Sequence, residues 1–226
     1  MKAVILAAGR GKRMGKLTEE FPKPLLQVGD KTLLDHIIET LPPDTVEEII
    51  MVIGYLGEKI REHCRKYHPD RKIIFVEQKE LNGTAGAVFL ARPYIQAGER
   101  FVIIYGDERA TKEQIARCFS YEFSWLCREM SDPSQSGVAT VSGDGRITEA
   151  IEKPKKPKSN FVAAGVMVVN ADIFKYQPVR HSNGEYYLTS MMDGFIKSHP
   201  VYMVEGTKDV ASSWPEDINR FNTNVL

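Results

Sequence analysis

The sequence has little cysteine, no excess of either charge and no long apolar run. Its three cysteines, Cys64, Cys118 and Cys127, show no CxxC spacing. That argues against a disulfide framework or a zinc site and fits a reducing cytoplasm. Thirty Lys and Arg balance thirty Asp and Glu, so the formal net charge is zero. Generic binders of nucleic acid or anionic membranes carry a basic excess, so neither partner is expected, and any anion site must be local. No stretch approaches the ~20 apolar residues of a membrane helix. In MKAVILAAGRGKRM the apolar run precedes most of the charge, the wrong order for a secretory signal. Internal repeats are absent, and the one low-complexity patch, KPKKPK at 153–158, reads as an exposed loop.

A chain of 226 residues suits one large domain with a sizeable core. Short apolar runs at 2–7, 48–53, 72–76 and 100–105 read as buried strands. Between them, 33–41 and 56–67 carry apolar residues at helical spacing, and 84–90 reads as a short helix. Strands alternating with helices imply a largely parallel sheet covered on both faces. The second half changes character. A helix is expected over 116–130, then strands at 137–141 and 146–152 around the turn SGDG. A strand at 161–170, a helix at 187–197, a strand at 200–205 and a terminal helix at 215–222 complete the pattern. His63, Cys64 and His68 read as the polar face and end of the second helix rather than as a metal site.

The strongest chemical signal is LAAGRGKRMGK at 6–16. A buried strand runs into a loop rich in glycine and positive charge, with Lys2, Arg10, Lys12, Arg13 and Lys16 and no acid in the first sixteen residues. Gly9 and Gly11 let backbone N–H groups approach an anion closely, and phosphate is the natural ligand. The spacing fits neither a Walker loop nor a GxGxxG dinucleotide fingerprint. In Phe21-Pro22-Lys23-Pro24, two prolines pre-set the backbone around one lysine, a second candidate phosphate contact. Gln78 offers both a donor and an acceptor to a base edge, and the small residues of Gly83-Thr84-Ala85-Gly86-Ala87 leave room for a planar ligand. Asp107 lies just past the carboxyl end of a strand, where a carboxylate beside phosphates most simply holds Mg²⁺.

In this order the pieces resemble the sugar-1-phosphate nucleotidylyltransferase family. The resemblance rests on LAAGRGKRMGKLTEEFPKPL (6–25), on Gln78 with GTAGA, and on Gly106-Asp107. It continues through SGVATVSGDGRITEAIEKP (136–154), AAGVMVVNADIF (163–174) and GEYYLT (184–189). It implies an α/β fold, a three-layer α/β/α Rossmann-like arrangement on a mixed, mostly parallel sheet, the nucleotide-diphospho-sugar transferase fold. Residues 1–226 would form one domain, with a nucleotide-binding half at 1–110 and a sugar-phosphate-binding half at 111–226. The length then leaves no room for the C-terminal β-helix or helical tail of larger relatives.

The implied activity transfers a nucleotidyl group from an NTP to a sugar 1-phosphate, with Mg²⁺ as cofactor. The alternatives are transfer to phosphocholine or an inositol phosphate, and a silent nucleotide-binding regulator. Assembly into homo-oligomers stays open. By resemblance, Leu6, Ala7, Ala8, Gly9, Gly11, Gln78, Gly83 and Thr84 hold the nucleotide. Arg13 holds the departing phosphates, and Lys23 the α-phosphate or the incoming one. Asp107 holds the metal. Lys153 binds the sugar phosphate, Glu152 and Glu185 bind sugar hydroxyls, and Gly137 and Gly165 bring backbone groups to the sugar. The family's second metal-binding Asp falls on Ala211 or Ser213, with Asp209 the nearest substitute. Lys16 stands where the family commonly has proline, and Ser136 where an aromatic residue often precedes the glycine, which implies an altered sugar pocket.

Overall fold

A computed structural model describes residues 1–206, the side chain of Arg13 excepted. The terminal helix expected over 215–222, and Asp209, lie outside the described residues.

Strand β1 (Lys2–Ala7) opens the chain. Two-residue strands β2 (Gln27–Val28) and β3 (Lys31–Thr32) form a small separate ladder leading into α1 (Leu33–Thr40). Then come β4 (Glu48–Ile53), α2 (Gly57–Tyr67), β5 (Ile73–Glu77), α3 (Thr84–Leu90) and β6 (Arg100–Tyr105). The second half holds α4 (Lys112–Phe119), β7 (Phe123–Glu129), the hairpin β8 (Gly137–Val141) and β9 (Ile147–Glu152), β10 (Phe161–Asn170), α5 (Leu188–Ile196) and β11 (Val201–Glu205).

Among the described residues, nine strands share one sheet in the order β11-β7-β10-β6-β1-β4-β5, with the β8/β9 hairpin branching from β10. Along that path only β10 runs against the rest, being antiparallel to both β6 and β7. Alternate residues of each strand feed two cores. Ile50, Val52, Phe101 and Ile103 face α3 and α5 with Val88, Leu188, Met191 and Phe195. Ile49, Met51, Val102 and Ile104 face α1, α2 and α4 with Leu34, Ile37, Ile60 and Ile115. Burial on both faces is why these strands read as unbroken apolar runs rather than as alternation.

The helix expected over 116–130 is corrected. Helix α4 stops at Phe119, and Phe123–Glu129 is strand β7. The Arg100 guanidinium donates to the carbonyls of Phe119 (2.9 Å), Tyr121 and Glu122 (2.8 Å), which satisfies acceptors that the helix end leaves open. Beyond this turn, Trp125 and Cys127 enter one core and Leu126 the other, a period of two. Strand β7 is held between β10 and β11, pairings to distant sequence that override a local helical pattern.

From β1 the chain moves outward through β4 to β5, then crosses back to place β6 on the other side of β1. The carboxyl ends of β1 and β6 therefore flank a switch point, the position where open α/β sheets bind ligands.

Candidate active site

A cleft of about 560 Å³ opens at that switch point. Its floor is the end of β1: Leu6, Ala7, Ala8, Gly9 and Gly11 all line it. The Leu6 carbonyl accepts the Gly106 N–H (2.9 Å) and the Ala8 carbonyl the Tyr55 N–H (3.1 Å), so the loop bases are tied together. A Cβ added at Gly9 would meet nothing within 4 Å, so its backbone stands open. Gly11 has φ 62°, and a Cβ there would lie 3.2 Å from Lys23 Cβ. The loop folds closely over Lys23 because this residue has no side chain. Arg10 and Lys12 also line the cleft, with the Arg10 guanidinium 5.5 Å from the centre of the Tyr55 ring. Arg13 sits in the following 3-10 turn, Lys12–Thr18.

Lys23 begins a short turn between Pro22 and Pro24, buried at 8% exposure. Its Nζ donates to Asp107 Oδ2 at 2.6 Å across the cleft. The two charged groups expected to contact phosphate and metal thus hold one another. Asp107 does not cap α4; Thr111 does, in a capping box with Gln114. The next residue, Glu108, accepts the Gly165 N–H at 2.6 Å. Burial, then the neighbouring Asp107 charge, push its carboxyl up to about 7. Arg128 lines the same wall, and its buried Nε has no hydrogen-bond partner among the described residues.

Gln78, Gly83 and Thr84 also line the cleft. Gln78 Nε2 donates to Asn82 Oδ1 and to the Gly83 carbonyl, both at 3.1 Å. A backbone carbonyl accepts only, so this orientation of the amide is fixed and Oε1 is its accepting atom toward a ligand. Gly83 has φ 109°, and an added Cβ would lie 2.3 Å from the Tyr186 carbonyl oxygen. The glycine requirement here comes from the backbone of the second half, not from a ligand. Thr84 Oγ1 accepts the Leu188 N–H at 2.9 Å and joins the same seam.

From the second half of the chain, Gly137, Glu152, Lys153 and Glu185 line the cleft. Glu152 accepts from Thr189 Oγ1 at 2.6 Å, and burial raises its carboxyl above the ordinary range. Lys153 Nζ donates to Tyr187 Oη (2.7 Å), and that hydroxyl donates to Glu185 Oε2 (2.5 Å). Lys153 also has φ 45°, a left-handed conformation uncommon outside glycine, and its N–H donates to the Ser136 carbonyl at 2.9 Å. Gly165 departs from expectation. It is not part of the cleft lining, its N–H is taken by Glu108, and a Cβ would lie 2.5 Å from Tyr105 Cβ. Its lack of a side chain seats Tyr105, so it offers no donor to a sugar.

Glu108 and Arg128 also line the cleft without a local motif to mark them, and so do Tyr187 and Thr189, which fall within GEYYLT (184–189) where only Glu185 was singled out. Tyr187 lies two residues after Glu185, which in extended chain puts both on one side. Arg128 sat inside the stretch read as helix, where no cleft position was expected.

The model for the nucleotidyl transferase family matches residues 2–209. The bifunctional protein GlmU of Methanocaldococcus jannaschii is 35% identical over 231 aligned positions, covering 100% of this chain and 54% of that protein. The chain therefore spans about half the length of these bifunctional relatives. UTP–glucose-1-phosphate uridylyltransferase AglF of Haloferax volcanii is 32% identical, over 88% of this chain and 84% of its own. In fold, the chain matches a UDP-glucose pyrophosphorylase solved with UDP-glucose, at a TM-score of 0.85, 20% identity and coverage of 99% and 97%. The chain belongs to the nucleotidyl transferase family, with sugar-1-phosphate nucleotidylyltransferases among its relatives.

Proposed function

We propose that this cleft joins an NTP to a sugar 1-phosphate, giving an NDP-sugar and pyrophosphate. The observation that carries this is the spread of charge along one cleft. Arg10, Lys12 and Lys23, paired with Asp107, come from the first half of the chain, and Lys153, joined through Tyr187 to Glu185, comes with Glu152 from the second. Two phosphate-bearing substrates meeting in one cleft need cations for both phosphates and hydroxyl-binding carboxylates for the sugar.

In the reaction, a phosphate oxygen of the sugar 1-phosphate attacks the α-phosphorus in line. The new P–O bond forms as the bond to the β-phosphate oxygen breaks, and pyrophosphate departs with that electron pair. Such chemistry asks the protein mainly for positioning and charge stabilisation. The Gly9–Gly11 backbone, with Arg13, receives the triphosphate. Lys23, poised beside Asp107, turns to the α-phosphate or the incoming one. Lys153 holds the sugar phosphate against the Tyr187 hydroxyl, and Glu152, Glu185 and the Gly137 backbone take sugar hydroxyls. Gly165 drops out of the contact set, and Arg128 enters it as a further anion contact at the wall.

Asp107 is the carboxylate that would hold Mg²⁺. The donor set fits, since Mg²⁺ takes one or two carboxylates and completes its shell with substrate phosphates and water. When bound, the ion neutralises charge at the α-phosphate. Asp209 is the proposed second ligand. The accepting Oε1 of Gln78 takes an N–H from the base edge, the ring N–H of uracil, thymine or guanine or an exocyclic amino group, and so helps to hold a base without by itself choosing among them. The nucleotide half is 1–110 and the sugar half 111–226, in a protein working in the cytoplasm.

The test is a screen of UTP, dTTP, GTP, ATP and CTP against several sugar 1-phosphates with Mg²⁺, read by mass spectrometry. NDP-sugar and pyrophosphate from any of these pairs support the reading, and the pair that reacts best names the base and sugar. Nucleotide binding without any product across the panel supports a silent binding protein instead.

A further inference from the structure

Away from the cleft, three side chains converge between α1 and α2. Asp35 stands in the first turn of α1, His63 lies on α2, and His68 directly follows it. His63 Nε2 and His68 Nε2 each lie 2.7 Å from the same atom, Asp35 Oδ1. The second oxygen is already committed: Oδ2 accepts the Thr32 N–H (2.9 Å) and the Thr32 hydroxyl (2.7 Å) in the capping box of α1. The carboxylate therefore cannot turn, and one oxygen is held aimed at two imidazoles.

The surroundings favour a fixed geometry. The three side chains are 13%, 13% and 9% exposed. The His63 ring packs against Tyr67 with centroids 4.6 Å apart. All three candidate ligand atoms lie within 4.8 Å of one another, and none of the three residues lines the substrate cleft. Cys64, between the histidines in sequence, is buried in the core and is not a donor here.

We propose that Asp35, His63 and His68 form a site for one divalent transition-metal ion of the zinc class, separate from the substrate cleft. Two imidazole nitrogens and one carboxylate oxygen are a common donor set for such ions. Zinc binds them at about 2.0–2.2 Å, which at tetrahedral angles separates ligand atoms by about 3.4 Å. The present 2.7 Å contacts are hydrogen bonds, and each must open by less than about 1 Å to admit the ion. The rings then carry their proton on Nδ1, the metal takes the place of the two Nε2–H hydrogens, and water completes the shell. Thr32 acts as the outer partner that orients the carboxylate. A bound ion would clamp the start of α1 to the end of α2.

The test uses chelator-stripped full-length protein with excess Mg²⁺ present to occupy the cleft. Co²⁺ is titrated and visible absorption recorded, followed by Zn²⁺ competition and unfolding midpoints with and without Zn²⁺. The proposal expects one saturating equivalent of Co²⁺ with four- or five-coordinate bands, displacement by Zn²⁺, and a raised midpoint. These effects persist in Asp107→Asn, and affinity falls by more than about 100-fold in His63→Gln and His68→Gln, beyond the range seen for outer partners. Absence of a saturable band in the wild type overturns the proposal, and so do bands that survive in both histidine variants. Should those variants not fold, zinc-edge X-ray absorption on the wild type decides: two imidazoles with oxygen support the site, and a sulfur or all-oxygen shell overturns it.

Discussion

Glu108→Gln should stabilise the protein at alkaline pH and leave it unchanged at acid pH. Burial first, and the Asp107 charge second, raise the Glu108 carboxyl from the ordinary 4.5 to about 7, against the opposing pull of Arg128 and the Gly165 N–H. The sign follows from linkage. The native state holds this proton more tightly than the unfolded chain, so the associated stability is complete below about pH 4.5 and is lost as pH rises through about 7. At about 1.4 kcal/mol per pKa unit the loss has a ceiling of about 3.5 kcal/mol. The carboxyl borders a cleft that admits water, and solvent screening there brings the expected loss to about 1–2 kcal/mol. Glutamine keeps an acceptor for the Gly165 N–H and never ionises, so the variant escapes the loss. Urea unfolding of both proteins at pH 5 and pH 8 measures it. Near-equal stabilities at pH 5 and a variant more stable by about 1–2 kcal/mol at pH 8 are expected. A difference that does not change with pH, or a variant weaker at pH 8, refutes the reasoning.

Four further outcomes follow from the cleft. Lys23→Met should lower kcat by about 10²–10³-fold in steady-state assays. Its unfolding free energy should change by less than about 1 kcal/mol, because the Asp107 partner is 37% exposed. Tyr187→Phe removes the hydroxyl joining Lys153 to Glu185 and should raise KM for the sugar phosphate by up to about tenfold, with KM for the NTP unmoved. Gly83→Ala should cost more than about 2 kcal/mol in urea titrations, from the Tyr186 clash and the positive φ. Gly9→Ala, with open space around its Cβ, should fold normally and raise KM for the NTP.

The parallel half of the sheet was legible because strands covered on both faces must be apolar throughout, as in EIIMVI of β4. Strand β7 was not, since its identity depends on β10 and β11, far away in sequence. The phosphate loop announced itself by glycine and charge within a few residues. Gly83 and Gly165 carry a constraint that the sequence does not show: each makes room for a distant partner, Tyr186 or Tyr105. Glu108 sits beside Asp107 in sequence, yet its shifted proton affinity arises from burial, which only the fold supplies. Likewise His63 and His68 were visible as neighbours, but Asp35 joins them only when α1 packs beside α2.

The most direct measurement follows an oxygen label. The best sugar 1-phosphate from the substrate screen, carrying ¹⁸O on its phosphate, is incubated with NTP, Mg²⁺ and the protein. Attack by the sugar phosphate on the α-phosphorus predicts NDP-sugar that retains all of the label, with unlabelled pyrophosphate in equal amount. Label in the pyrophosphate, or nucleotide bound with no NDP-sugar formed, would contradict the proposed transfer.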